Sequence, residues 1–127
     1  MLDNIDAHYS RLYYVIFKKS VTNDWRVRWL DPFFRHVVLA RESDSGNLWI
    51  VTDFKGGNIH TSLEPMADIR EYFPDSVILK FKSKIHKRFT YRVWNINCVE
   101  VAKIVLGIRE MFIITPYQLY KYILKEQ

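Results

Sequence analysis

The chain has a single cysteine, Cys98, so it closes no internal disulfide and its fold does not rest on oxidising surroundings. Four glycines and four prolines in 127 residues leave little material for linkers. There is no low-complexity tract, internal repeat or shift of composition, and a single domain over residues 1–127 is expected. Long apolar runs are missing as well: LYYVIF (12–17) and MFII (111–114) fall far short of a membrane span of about 20 residues. The opening MLDNIDAHYS has neither a basic n-region nor an apolar h-region, so no signal peptide is read. These absences predict a soluble protein, intracellular or carried inside a larger assembly. No HExxH, CxxC or tight His/Asp cluster marks a metal site. FKGGNIH (54–60) lacks the length and the Lys-Ser/Thr ending of a phosphate loop, so no cofactor is expected.

What is present is core material. Apolar residues make up 49% of the chain and aromatics 16%, enough to bury a core and to exclude general disorder. The net charge is +5, which permits contact with nucleic acid, anionic lipid or an acidic partner and selects none of them.

Aromatic and β-branched residues in RLYYVIFKK (11–19) predict a buried strand. DWRVRWL (24–30) alternates Trp25, Val27 and Trp29 with Arg26 and Arg28, which gives a strand with one basic face. FRHVVLARE (34–42), the turn SDSGN (43–47) and LWIVTDF (48–54) form a predicted hairpin, followed by a second turn at KGGN (55–58). TSLEPMADIREYF (61–73) mixes a short helical pattern with Pro65. SVILKFK (76–82) and RFTYRVW (88–94) predict a further hairpin through SKIHK. Asn97 suits a helix cap with Glu100 three residues on, Val99, Ala102, Val105 and Leu106 share a helical face, and Gly107 suits the stop. In TPYQLYKYIL (115–124), Thr115 caps, Pro116 takes the first helical position and Gln118 completes a capping box, with Leu119, Tyr122 and Ile123 inward. The layout is α+β: an antiparallel sheet of about five strands, a Cys-bearing helix and a C-terminal helix.

Cys98 therefore falls in the first turn of a helix, where the macrodipole and free N–H groups favour the reactive thiolate. A nucleophile also needs a base, usually His, oriented by a third polar group. Of the four histidines, His36 sits in an apolar strand, a rigid platform. His8, His60 and His86 read as surface or loop residues. For the orienting group the paired strand offers Asp53 and Thr52 on opposite faces, with His60 a further candidate. Tyr13, Tyr14 and the Cys98 backbone N–H are candidate oxyanion donors.

The order of these elements resembles the circularly permuted papain-like cysteine hydrolases, which include NlpC-type and lecithin-retinol-acyltransferase-like proteins. In that group a strand His precedes a Cys that opens a helix, and a polar residue from the neighbouring strand follows the His. His36, Asp53 and Cys98 occupy those places in FRHVVLARESDSGNLWIVTDF and NCVEVAKIVLGI. The resemblance implies a small sheet packed on the Cys helix, and cleavage or transfer at an amide, thioester or ester. The chain departs from the pattern after the cysteine, where NCVEVA replaces an aromatic or His, and after His36, where Val37 and Val38 replace a small residue. NCVEVAKIVLGI with TPYQLYKYIL also resembles short proteins of tailed bacteriophages, over about the last third of the chain. That likeness implies host cytoplasm or virion as location, peptidoglycan or protein as substrate, and virion proteins as partners.

The competing reading is a non-catalytic virion or nucleic-acid-binding protein. KFKSKIHKRFTYR carries Lys80, Lys82, Lys84, Lys87, Arg88 and Arg92, with Phe81, Phe89 and Tyr91 between them. Basic grooves with aromatic platforms bind single strands.

Overall fold

A computed structural model describes residues 10–19, 34–55, 57–84 and 97–127. The strands predicted over 24–30 and 88–94, and His8, His86, Lys87, Arg88 and Arg92, lie outside the described residues. The fold is α+β. Five antiparallel strands, β1 (Leu12–Lys18), β2 (His36–Glu42), β3 (Leu48–Lys55), β4 (Asn58–Pro65) and β5 (Val77–Lys82), form one sheet in the order β4-β3-β2-β1-β5. Among the described residues three helices accompany it: α1 (Ile69–Tyr72), α2 (Cys98–Leu106) and α3 (Pro116–Lys125).

Alternation along the central strand divides the core. Val15, Ile16 and Phe17 are all fully buried, as expected for a strand covered on both faces. Val15 and Phe17 stand opposite Leu39 and Val37 of β2, and this face packs against Val99, Ala102 and Leu106 of α2 and Leu119 and Ile123 of α3. Ile16, opposite Val38, faces the other way into a smaller cluster with Ala40, Trp49, Val51 and Ile69. That second layer is closed by α1 and the segment before it. The Trp49 indole N–H donates to the Ala67 carbonyl at 2.8 Å, and the Tyr72 hydroxyl donates to that of Pro65 at 2.5 Å.

The helix ends follow the capping logic of the sequence. The Asn97 side chain accepts from the N–H groups of Val99 and Glu100, and Gly107 ends α2 in the left-handed region at φ 74°. Thr115 and Gln118 form the reciprocal capping box of α3 with Pro116 in its first turn. One feature was not expected. Lys103, 1% exposed, reaches from α2 to the carbonyl of Ile113 at 2.8 Å and lies 3.6 Å from Glu100, tying the α2–α3 connection to the helix. A buried lysine needs such partners, because removing an ammonium from water costs several kcal/mol.

β4 is the other departure. Residues 58–65 pair with β3 along their whole length, from Lys55↔Asn58 to Leu48↔Pro65, where the sequence suggests a turn running into a mixed helical segment. Helical structure is confined to Ile69–Tyr72, capped by Asp68.

Gly107 is required twice over. Its φ is unfavourable for any residue with a Cβ, and an added Cβ would fall on the Lys84 carbonyl oxygen. The Lys84 N–H in turn donates to Leu106 at 2.9 Å, joining the end of α2 to the segment after β5. Gly107→Ala should destabilise the fold by roughly 2–4 kcal/mol, read as a lower urea midpoint at unchanged m-value.

Candidate functional site

β2 begins at His36 because the ladder with β1 ends at Lys18↔His36. On the other side, Val38 stands opposite Asp53 of β3, which makes His36 the diagonal neighbour of Asp53. Diagonal side chains lie within reach of long or ring-bearing residues. The contact is made: His36 Nε2 lies 2.5 Å from Asp53 Oδ1, with the two side chains 17% and 23% exposed. Cys98 enters from the helix layer. It is the first residue of α2, half-buried against the larger core cluster, and it lies near enough to His36 to raise the proton affinity of the imidazole. Because Nε2 serves Asp53, Nδ1 is the ring nitrogen left for the thiol.

Three residues from three elements therefore come together: Asp53 and His36 are hydrogen-bonded, and Cys98 stands close enough to act on the imidazole. Its electrostatics are set by opposing effects. Burial lowers the affinity of His36 for a proton, but hydrogen bonds to Asp53 and Cys98 and their charges outweigh it, and the imidazole pKa rises to about 9. Burial likewise opposes ionisation of Asp53. The His36 hydrogen bond and charge overcome that, helped by Lys18 and Lys55, and the carboxyl falls below its ordinary range.

The other candidates are placed elsewhere. Thr52 stands opposite Leu39, on the other face of β3 from Asp53. His60 is the cross-strand partner of Asp53 on β4 and is exposed, while the carboxylate turns to His36. Tyr13 and Tyr14 do not meet the expectation of oxyanion donors. Tyr14 is level with Ala40, four residues from the end of the ladder at Lys18. That is about 13 Å along the strand. Tyr14 packs edge-on against Trp49 at 5.2 Å, and Tyr13 joins the larger core cluster. The Asn97 side chain takes the N–H groups of Val99 and Glu100, not that of Cys98. Sequence reasoning missed Lys18 and Lys55 as charges acting on Asp53. Strand register would have been the signal, since Lys18 is opposite His36 and Lys55 lies two residues after Asp53 on β3.

The described part of the basic segment behaves as a half-buried strand. Phe81 is buried, and Lys80 lies over the Tyr14 ring at 5.6 Å. Lys84, beyond the end of β5, donates to the Tyr122 hydroxyl at 2.5 Å. Lys82 remains exposed. Among the described residues no group of three His, Cys, Asp or Glu side chains is arranged to hold a metal ion, and no helix is long and apolar enough to cross a membrane. No protein-family model, curated protein or solved structure matches the chain.

The pH dependence follows from the two directions. A raised His36 pKa stabilises the fold fully below the unfolded value of 6.5, and this is lost as pH rises through about 9. A lowered Asp53 pKa stabilises it above the unfolded value of 3.8, and this is lost on further acidification. An NMR titration of the His36 ring should give a midpoint near 9 that falls toward 6.5 in Asp53→Asn. A midpoint unmoved by that substitution would show that Asp53 does not hold the imidazolium.

Proposed function

We propose that the chain is a thiol hydrolase or acyltransferase acting at an amide or ester, with Cys98 as nucleophile, His36 as proton carrier and Asp53 as its orienting residue. One observation carries this reading: the His36–Asp53 hydrogen bond, which holds the imidazole cationic close to a thiol at a helix N-terminus. An imidazolium stabilises a neighbouring thiolate, the nucleophilic form. Cys98 Sγ bonds to the carbonyl carbon, and the Cys98 N–H is available to the developing oxyanion. The tetrahedral adduct collapses as the carbon–nitrogen or carbon–oxygen bond breaks. His36 gives its proton to the leaving amine or alkoxide, leaving a thioester on Cys98. Water, or an acceptor amine or hydroxyl, then attacks the thioester, loses its proton to His36, and the thiolate is restored. Asp53 keeps Nε2 engaged throughout, so Nδ1 always faces the sulfur.

The likeness to circularly permuted papain-like hydrolases supports the same roles, since strand His, neighbouring polar residue and helix-opening Cys come in that order. The likeness to proteins of tailed bacteriophages supports a peptidoglycan cross-link or a protein amide as the substrate class, in host cytoplasm or virion. The non-catalytic reading draws less support, because Phe81 is buried and Lys80 and Lys84 have intramolecular partners.

Alkylation by iodoacetamide tests the pairing. At pH 6 the wild type should react about tenfold or more faster than His36→Ala, whereas the two should converge above pH 9. Incubation with an activated ester should leave an acyl adduct on Cys98, seen by intact mass, whose formation slows about 10²-fold or more in His36→Ala. Equal rates in the two proteins at pH 6 would remove the catalytic reading.

A further inference from the structure

We propose that β4 is a self-association edge through which two copies of this chain join their sheets into one. The sheet has two outer strands, and they are treated differently. On β5 the side chains of Lys80 and Lys82 flank the edge, and Gln127 Nε2 donates to the Lys80 carbonyl at 2.8 Å. Charge and covered carbonyls of this kind keep a strand edge from pairing. β4 carries a single charge, Glu64, next to its terminal Pro65. It is eight residues long, contains no Lys or Arg, and no described strand pairs with its outer side. Ile59 and Leu63 are 61% and 63% exposed, although they are the large apolar side chains of the strand.

The register shows which main-chain groups point outward. β3 and β4 are joined across residues 56–57, with Lys55 opposite Asn58. A two-residue connection closes on a hydrogen-bonded pair, so 58, 60, 62 and 64 bond inward to β3. The N–H and C=O groups of Ile59, Thr61 and Leu63 then point to the open edge. These same residues carry the exposed apolar side chains, on the face that β3 shares through Thr52 and Ile50. An antiparallel pairing about a twofold axis at Thr61 uses all three. Ile59 meets the partner's Leu63, Leu63 meets the partner's Ile59, and the two Thr61 residues face each other as a β-branched pair. On the other face Asn58 comes opposite the partner's Glu64 and His60 opposite the partner's Ser62, so no like charges are opposed. Pro65 falls at the end of the pairing, where a missing N–H is tolerated. A second copy is thus the occupant whose sequence complements the edge, and an isologous interface of this kind closes at two chains.

Sedimentation velocity on the full chain over a concentration series tests this. The wild type should show a monomer–dimer equilibrium. The double variant Ile59→Lys with Leu63→Lys should be monomeric at every concentration, with unchanged far-UV circular dichroism because both side chains are exposed. Hydrogen exchange at the amides of Ile59, Thr61 and Leu63 should be slow in the wild-type dimer and fast in the variant. A wild type that stays monomeric up to millimolar concentration would overturn the proposal. So would a dimer that persists in the variant, or fast exchange of those amides in the dimer.

Discussion

The packing of α2 onto the central strands is the constraint from which the rest follows. Val15 and Phe17 of β1 and Val37 and Leu39 of β2 present a continuous apolar face, and Val99, Ala102 and Leu106 lie against it. Burying such side chains stabilises by about 1.5–3 kcal/mol each, and their interlock fixes the helix in position as well as in place. Both ends of α2 are then determined. At the C-terminus Gly107 turns the chain beneath the Lys84 carbonyl, and at the N-terminus Asn97 caps the first turn. That packing sets where Cys98 stands, while the β2–β3 register sets where His36 and Asp53 stand. A looser core would leave the same residues present and the pair unmade.

How much of this is legible in the sequence depends on whether the signal is local. β1, β2, β3 and β5 carry β-branched and aromatic residues at strand spacing, and α2 and α3 carry caps, a proline and a terminal glycine, so each announces itself. β4 does not. In NIHTSLEP nearly every residue is exposed, so there is no buried face to impose a period, and only pairing with β3 makes it a strand. The site divides in the same way. A thiol at a helix start and a histidine in an apolar strand are local facts. The choice of Asp53 over Thr52 and His60 rests on the β2–β3 register and on a diagonal contact, both of which are tertiary. Lys103 was hidden for a related reason: a lysine in an amphipathic helix reads as solvated, and its acceptor, the Ile113 carbonyl, lies in the following connection.

The two faces of the sheet serve different ends. The helix face holds the larger cluster and fixes α2. The opposite face, with Ile16, Val38, Trp49, Val51 and Ile69, closes the second layer using a helix of only four residues. The hydrogen bonds from Trp49 and Tyr72 to the backbone around that helix supply the order its length cannot, since so short a helix has almost no intrinsic stability.

The position of His36 at the end of the ladder resolves an electrostatic conflict. Deep in the sheet, burial would strip the imidazole of its proton, and a neutral ring stabilises a thiolate poorly. Fully in water, the pairing with Asp53 would be screened to little value. At the first residue of β2 the side chain is 17% exposed, dry enough for its hydrogen bonds to count and open enough for the cation to persist. The gap between an ordinary imidazole at 6.5 and about 9 corresponds to about 3 kcal/mol favouring the charged form, in spite of burial. That preference depends on Asp53 being ionised, and the nearby charges of Lys18 and Lys55 help to keep it so. The Asp53 carboxylate therefore draws its charge state from the sheet around it, and its hydrogen bond helps to keep His36 charged, which links the strand register to the chemistry proposed at Cys98.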